Sequence, residues 1–248
     1  MATATARMTT TRRRRNPEEN STVRATSPGI ARSKRWSGSQ LFDISLSFVA
    51  LLALSPVLLV IAAAILLETG WPILFTQSRV GRDGRMFLLR KFRTMRVKQA
   101  GPSITARGDA RITRVGRVLR KFKLDELPQL WNVIRGEMSL VGPRPEVPQF
   151  VDRSQPVWCA VLRVRPGITD PASITYRNEE ELLAKASNPT DYYRETVLPA
   201  KLALNVEYLE KRSFWLDLKV IAQTVKCAVF PGEFDIKTIR IASPEDSK

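Results

Sequence analysis

Apolar and polar positions divide the chain into three regimes. Residues 41 to 67, "LFDISLSFVALLALSPVLLVIAAAILL", are almost unbroken apolar sequence with Asp43 as the only charge. As one continuous helix this run is long enough to cross a hydrocarbon core of about 30 Å. Before it, residues 1–33 are rich in Thr, Arg, Ser and Pro, include the run Arg12 to Arg15 and hold few large apolar residues. Such a composition cannot bury enough surface to order itself, so a disordered basic tail is expected.

After the apolar run, shorter periods alternate. "WPILFTQSRVGRDGRMFLLRKFRTMR" predicts two strands joined around Gly81 to Gly84. Residues 97–110 read as a loop, with Gly101, Pro102, Gly108 and Asp109. In "RITRVGRVLRKFK", Ile112, Val115, Val118, Leu119 and Phe122 fall at helical spacing with arginines between them. That is a basic amphipathic helix, suited to a membrane surface or to an ordinary solvated face. Glu179 to Glu181 mark an acidic helix start, and Trp215, Leu218, Ile221 and Val225 recur as the packed face of a C-terminal helix. The expected fold is α+β and mainly helical. It comprises the tail over 1–33, a membrane anchor over 34–70, a small catalytic domain with a β-hairpin over 71–235, and a C-terminal tail over 236–248.

Charge decides how the anchor is oriented. Arg24, Arg32, Lys34 and Arg35 precede the apolar run, and Arg79, Arg82, Arg85, Arg90, Lys91, Arg93 and Arg96 follow it. By the positive-inside rule both flanks belong in the cytoplasm. Ser55 and Pro56 lie near the centre of the run, where a proline removes a helical hydrogen bond. The arms on either side reach about 16–21 Å each, short of the core thickness. A re-entrant helix hairpin broken at Ser55-Pro56 is therefore expected; the alternative is a spanning helix with a tolerated kink.

The net charge of +16 implies an anionic partner, and charge alone does not choose among nucleic acid, an acidic membrane surface and phosphorylated substrates. The chain has no histidine, which excludes Ser-His and Cys-His nucleophile systems and histidine metal sites. Cys159 and Cys227, far apart and in apolar surroundings, read as buried thiols of a reducing compartment.

Chemistry then rests on carboxylates and basic groups. Asp125 and Glu126 in "RKFKLDELPQLWNV" suit a helix N-cap and first turn. Ringed by Arg120, Lys121 and Lys123, the same pair suits phosphate chemistry, as a nucleophile or as ligands for Mg²⁺. Arg144, framed by Pro143 and Pro145, is a rigidly held candidate for bidentate phosphate binding. Lys91 and Arg93 share one face of a predicted strand, and Arg163 and Arg165 precede a Pro-Gly turn.

The ordered set "KRWSGSQLFDI", Ser55-Pro56, "KFRTMR", "TRVGRVLRKFKLDELPQLWNVIRGEMSLVGPRPE", "RPGIT" and "SFWLDLK" closely resembles the bacterial sugar transferases that are monotopic polyprenyl-phosphate phosphoglycosyl transferases. The resemblance covers about residues 34 to 230 and is that of the short form, one anchor with one catalytic domain. It implies transfer of sugar-1-phosphate from a UDP-sugar to polyprenyl phosphate, normally undecaprenyl phosphate, with release of UMP at the start of glycan or exopolysaccharide assembly. It implies Asp125 as the nucleophile, Glu126 as its partner carboxylate, Mg²⁺ as cofactor, and Lys91, Arg93, Arg120, Arg144 and Arg165 as phosphate contacts. It also implies the cytoplasmic face of the bacterial inner membrane, contact with membrane lipid, no nucleic acid partner, and admits a homodimer. "GITDPASITYRNEEELL" departs from the Gly-Ile-Thr-Gly pattern of many relatives, so the donor sugar is not carried over. The contrasting readings are a membrane-tethered binder of anionic lipid or nucleic acid, and a noncatalytic scaffold of the same fold.

Overall fold

The computed structural model describes residues 37–96 and 108–230. The basic tail, the four leading-flank cations, most of the 97–110 loop and the C-terminal tail lie outside the described residues. The apolar run forms α1 (Ser37–Thr69), a helix of 33 residues with Pro56 inside it. The helix span runs through Ser55-Pro56, the place of the expected break. Pro56 has no N–H to offer the Leu52 carbonyl, and the Ser55 hydroxyl donates to that oxygen instead, at 2.8 Å. The Ser-Pro pair thus supplies its own repair, and helical geometry continues through it.

One stripe of α1 packs on the rest of the chain. Ala50 and Leu51 meet the central core, while Leu58, Ile61, Ala62 and Ile65 pack with Phe92 and Leu119. The remaining faces, including Leu41, Leu52, Leu59, Val60 and Leu67, are exposed. The helix is long and apolar enough to cross a membrane. Both of its ends, however, are tied to the same body. Asp43 accepts from Ser139 Oγ at 2.5 Å. Glu68 accepts from the backbone N–H groups of Arg114 and Val115 at 2.7 and 3.0 Å.

The expected hairpin is present as β1 (Leu74–Val80) and β2 (Met86–Phe92), antiparallel in register from Leu74 opposite Phe92 to Val80 opposite Met86. Its turn reverses through Asp83 and Gly84, both at positive φ, a conformation glycine adopts freely. Then follow α2 (Arg114–Lys121), α3 (Gln129–Ile134) and β3 (Ser139–Val141). After α4 (Pro156–Val161), β4 (Gly167–Thr169) returns to pair parallel with β3. The described residues close with α5 (Pro171–Thr175), α6 (Glu179–Ala184), α7 (Pro189–Tyr192), a π-turn into α8 (Leu198–Lys211), and α9 (Phe214–Val229).

The main core gathers Leu89, Leu130, Val133, Met138, Leu140, Val141, Ile174, Tyr208 and Val220 between the two small sheets and α9. The sequence periods locate α6 and α9 correctly but misplace the packed face of α9. Of the four expected positions, Ile221 packs partly against the core while Trp215, Leu218 and Val225 are exposed, and Val220 and Cys227 are the buried positions, because this helix meets the core along the neighbouring stripe. Cys159 is likewise exposed, not buried, on the one-sided helix α4; both thiols are free.

Asn132 of α3 fastens the hairpin to this core. Wholly buried, it accepts from Arg90 N at 3.2 Å and donates to Leu88 O at 2.8 Å and Glu137 Oε2 at 2.6 Å. Replacing it strands two backbone groups of β2. Asn132→Ala should therefore lower the unfolding free energy by about 2–4 kcal/mol, measured by denaturant titration in detergent.

Candidate active site

The acid pair sits where α2 ends. Thr113 caps α2, accepting from Gly116 N at 2.8 Å. A Cβ on Gly116 would fall 2.2 Å from Thr94 O, so only glycine lets α2 lie this close to the exit of β2. Lys123 then takes the left-handed conformation (φ 56°) and turns the chain into a 3-10 turn, Leu124–Glu126. Pro128, not Asp125, stands before α3, and Asp125 makes no capping bond. The N-cap expectation is thus corrected: the turn that carries Asp125 is separate from α3.

The two acids have different surroundings. Glu126 is gripped by Arg144 in a fork, Nη2 to Oε1 at 2.5 Å and Nη1 to Oε2 at 2.8 Å. Lys91 Nζ reaches Oε1 at 3.3 Å and Gln129 Nε2 reaches Oε2 at 3.2 Å. Asp125 is equally buried, yet its Oδ1 has no hydrogen-bond partner among the described residues. Its carboxylate is not used to hold the fold.

Charge and burial separate the pair further. Burial works against the ionised form of Glu126, but Arg144 and then Lys91 outweigh it and hold the carboxyl well below the usual range. Burial pushes Asp125 up; Lys91 opposes this and Glu126 reinforces it. Lys91 is itself lowered to about 8, by burial first, with Glu126 pulling the other way.

Arg144 is fixed from three directions. Besides Glu126, its Nη1 donates to Ile168 O at 3.0 Å and its backbone N–H to Asp170 Oδ2 at 2.7 Å. Asp170 is fully buried and also caps α5 through Ser173 N. The β3 and β4 ends touch here: a Cβ on Gly167 would lie 2.2 Å from Gly142 N.

Lys91, Arg144, Asp125 and Glu126 are therefore brought together. Arg120 approaches from the end of α2, pairing with Glu180 and reaching Thr94 Oγ1 at 3.5 Å, near enough to lower the Asp125 pKa. Arg93 is not at the pair. It lies just past the end of β2, and its Nη2 donates to Thr69 Oγ1 and Gly70 O at 2.5 and 2.6 Å, at the end of α1. Arg165 is also elsewhere, with Nε on Gly136 O at 2.9 Å. Two contributors went unforeseen, Gln129 and Asp170. The Asp170-Pro171 dipeptide is legible as a helix start, but its grip on Arg144 spans 26 residues and has no local signal.

No cluster of three or more potential metal ligands occurs among the described residues. The unpartnered Asp125 oxygen is the carboxylate donor at the pair that would be available to a cation such as Mg²⁺, which needs one or two carboxylates from the protein. Glu126, whose oxygens already accept from Arg144, Lys91 and Gln129, has less capacity to serve.

A small α+β body with one helix long and apolar enough to cross a membrane, and a buried unpartnered carboxylate oxygen beside cations, outlines a candidate site for an anionic ligand. A family model described as bacterial sugar transferase matches residues 34–231, and the chain belongs to that family. It is 40% identical over 198 residues to the undecaprenyl-phosphate glucose phosphotransferase of Komagataeibacter xylinus, covering 76% of this chain and 35% of the relative. It is 40% identical over 176 residues to the UDP-glucose:undecaprenyl-phosphate glucose-1-phosphate transferase of Caulobacter vibrioides, covering 69% of this chain and 62% of the relative. It is 36% identical over 205 residues to the exopolysaccharide production protein ExoY of Rhizobium meliloti, covering 76% and 87%. The chain thus spans less than two thirds of the first two relatives.

The Glu126–Arg144 fork carries a pH signature. A depressed folded-state carboxyl stabilises above the ordinary glutamate value of 4.5 and loses that contribution as pH falls through the folded value. Arg144→Met should lower the unfolding free energy by about 3 kcal/mol at neutral pH. Denaturant titrations from pH 7 to 3 should show this deficit shrinking below pH 4.5.

Proposed function

We propose that the chain transfers sugar-1-phosphate from a UDP-sugar to undecaprenyl phosphate, with Asp125 as a covalent nucleophile. The observation that carries this reading is the asymmetry of the acid pair: Glu126 is locked by Arg144, Lys91 and Gln129, while Asp125 Oδ1 is buried beside them without a partner. A buried, weakly solvated carboxylate held near cations is both ionisable and reactive toward phosphorus.

In the first step an Asp125 oxygen bonds to the sugar-bearing phosphorus of the donor. The bond from that phosphorus to the bridging oxygen breaks, and UMP leaves with the electron pair. In the second, an oxygen of undecaprenyl phosphate attacks the same phosphorus, releases the Asp125 carboxylate and forms undecaprenyl-diphosphate sugar. Arg144 and Lys91 offset phosphate charge at the same place in both steps, and Arg120 does so from the α2 side. Bound Mg²⁺ would supply Lewis-acid neutralisation of the diphosphate, held by Asp125 with Glu126 behind it. Glu126 acts mainly by fixing its two cations.

The acceptor is a lipid, so the site belongs at a membrane surface. Two cationic flanks and two tied helix ends support an anchor that enters and leaves on the cytoplasmic face of the inner membrane. Relatives are named for glucose transfer, and "exopolysaccharide production" supports the same pathway class here.

Purified protein given undecaprenyl phosphate, Mg²⁺ and a panel of UDP-sugars, UDP-glucose first, should release UMP. Asp125→Asn should slow release by about a thousandfold or more, and EDTA should abolish it until Mg²⁺ is restored. Absence of UMP with every donor, or full activity in Asp125→Asn, would sink the mechanism. For topology, single cysteines at residues 38 and 75, placed after removing Cys159 and Cys227, should both resist an impermeant external label on intact cells. Labelling of one alone would show a spanning helix.

A further inference from the structure

Asp43 is the single charge in the apolar run, and the chemistry above makes no use of it. An ionisable group in such a segment is costly and usually has a specific partner. Its partner here is the start of β3. Asp43 accepts from Ser139 Oγ at 2.5 Å and from the backbone N–H of Leu140.

β3 runs directly into Gly142, Pro143 and Arg144, so whatever fixes its start also fixes the origin of the active-site guanidinium. The strand is held at its other edge as well: Ser139 N donates to Pro166 O at 2.8 Å, and Gly142 N to Thr169 O at 3.0 Å. From the C-terminal side Arg212 Nη2 donates to Val141 O at 3.2 Å and pairs with Asp217 at 3.3 Å. Among these braces Asp43 is the one that comes from the anchor.

The far end of α1 does the equivalent for the other acid-bearing segment. Glu68 receives the first N–H groups of α2, and α2 leads through Lys123 into the turn that presents Asp125. Alongside its apolar contacts and the bond it accepts from Arg93 at Thr69, α1 thus makes two carboxylate grips, 25 residues apart. One falls on the segment carrying Arg144 and the other on the segment carrying Asp125.

We propose that Asp43 and Glu68 are positioning residues, through which the anchor helix sets the spacing between Arg144 and Asp125. The consequence is that lipid insertion and active-site geometry are one mechanical unit. This rests on the phosphoglycosyl-transfer reading for its kinetic readout, but its structural core is separable from it.

The test compares wild type, Asp43→Asn, Ser139→Ala, Ser139→Thr and the double variant Asp43→Asn/Ser139→Ala in lipid nanodiscs. Expected is a drop in kcat for UMP release of roughly tenfold in Asp43→Asn and in Ser139→Ala. KM for the donor should stay within about twofold. The double variant should be no worse than either single one, and Ser139→Thr should retain activity because it keeps the hydroxyl. Additive losses, or an unchanged kcat accompanied by a lower melting temperature, would overturn the proposal and leave a packing role. Hydrogen exchange supplies a readout independent of turnover. Asp43→Asn should speed exchange at residues 139–144 and leave α9 unchanged, and no change over 139–144 would overturn the proposal even if the protein released no UMP.

Discussion

The site depends on a single interaction, the fork between Arg144 and Glu126. Two ionised groups with little solvent around them persist only when each satisfies the other, and removing one strands the other at a cost of several kcal/mol. The fork joins the 3-10 turn after α2 to the loop after β3, segments that no secondary-structure ladder connects directly. With Glu126 taken up in this way, its neighbour is released from structural duty. Adjacent carboxylates in a basic surround come to differ in character: one is a cation clamp, the other a buried carboxylate with an unpartnered oxygen.

The surrounding fold is organised to hold this arrangement from a distance. Asp170 reaches across from α5 to hold the Arg144 backbone, Asn132 fastens β2 and so the strand that carries Lys91, and glycines at 116 and 167 allow backbones to approach within a distance no side chain would permit. The long apolar helix α1 takes part through Asp43 and Glu68. A helix that merely tethered the domain would need no polar contact with it, and burying a carboxylate in an apolar segment is unfavourable unless its partner is specific.

Much of the fold was legible because its signals are local. The apolar run, the hairpin around Gly81 to Gly84, the α2 periodicity and the acidic start of α6 each depend on neighbouring residues, and the family motifs around Asp125 and Arg144 marked residues that the fold brings together. What failed to be legible depends on tertiary partners. Ser55 takes up the Leu52 carbonyl that Pro56 cannot serve, a bond that the sequence alone does not show. Arg93 lies in the same basic motif as Lys91 but beyond the strand end, where Thr69 and Gly70 capture it. The α9 period has two adjacent apolar stripes, and only contact with Leu140, Val141 and Tyr208 decides which is buried. Likewise a buried aspartate and a capping aspartate look identical in "KLDELP" until the positive φ of Lys123 separates the turn from the helix.

The central claim is that Asp125 forms a bond to phosphorus while Glu126 does not. The most direct measurement is intact-protein and peptide mass spectrometry after incubation with the productive UDP-sugar and Mg²⁺ in the absence of acceptor. The account predicts a mass increase of one phosphosugar confined to the peptide containing Asp125, discharged when undecaprenyl phosphate is added. Turnover to the lipid product with no adduct at any time, or an adduct that survives in Asp125→Asn, would contradict it.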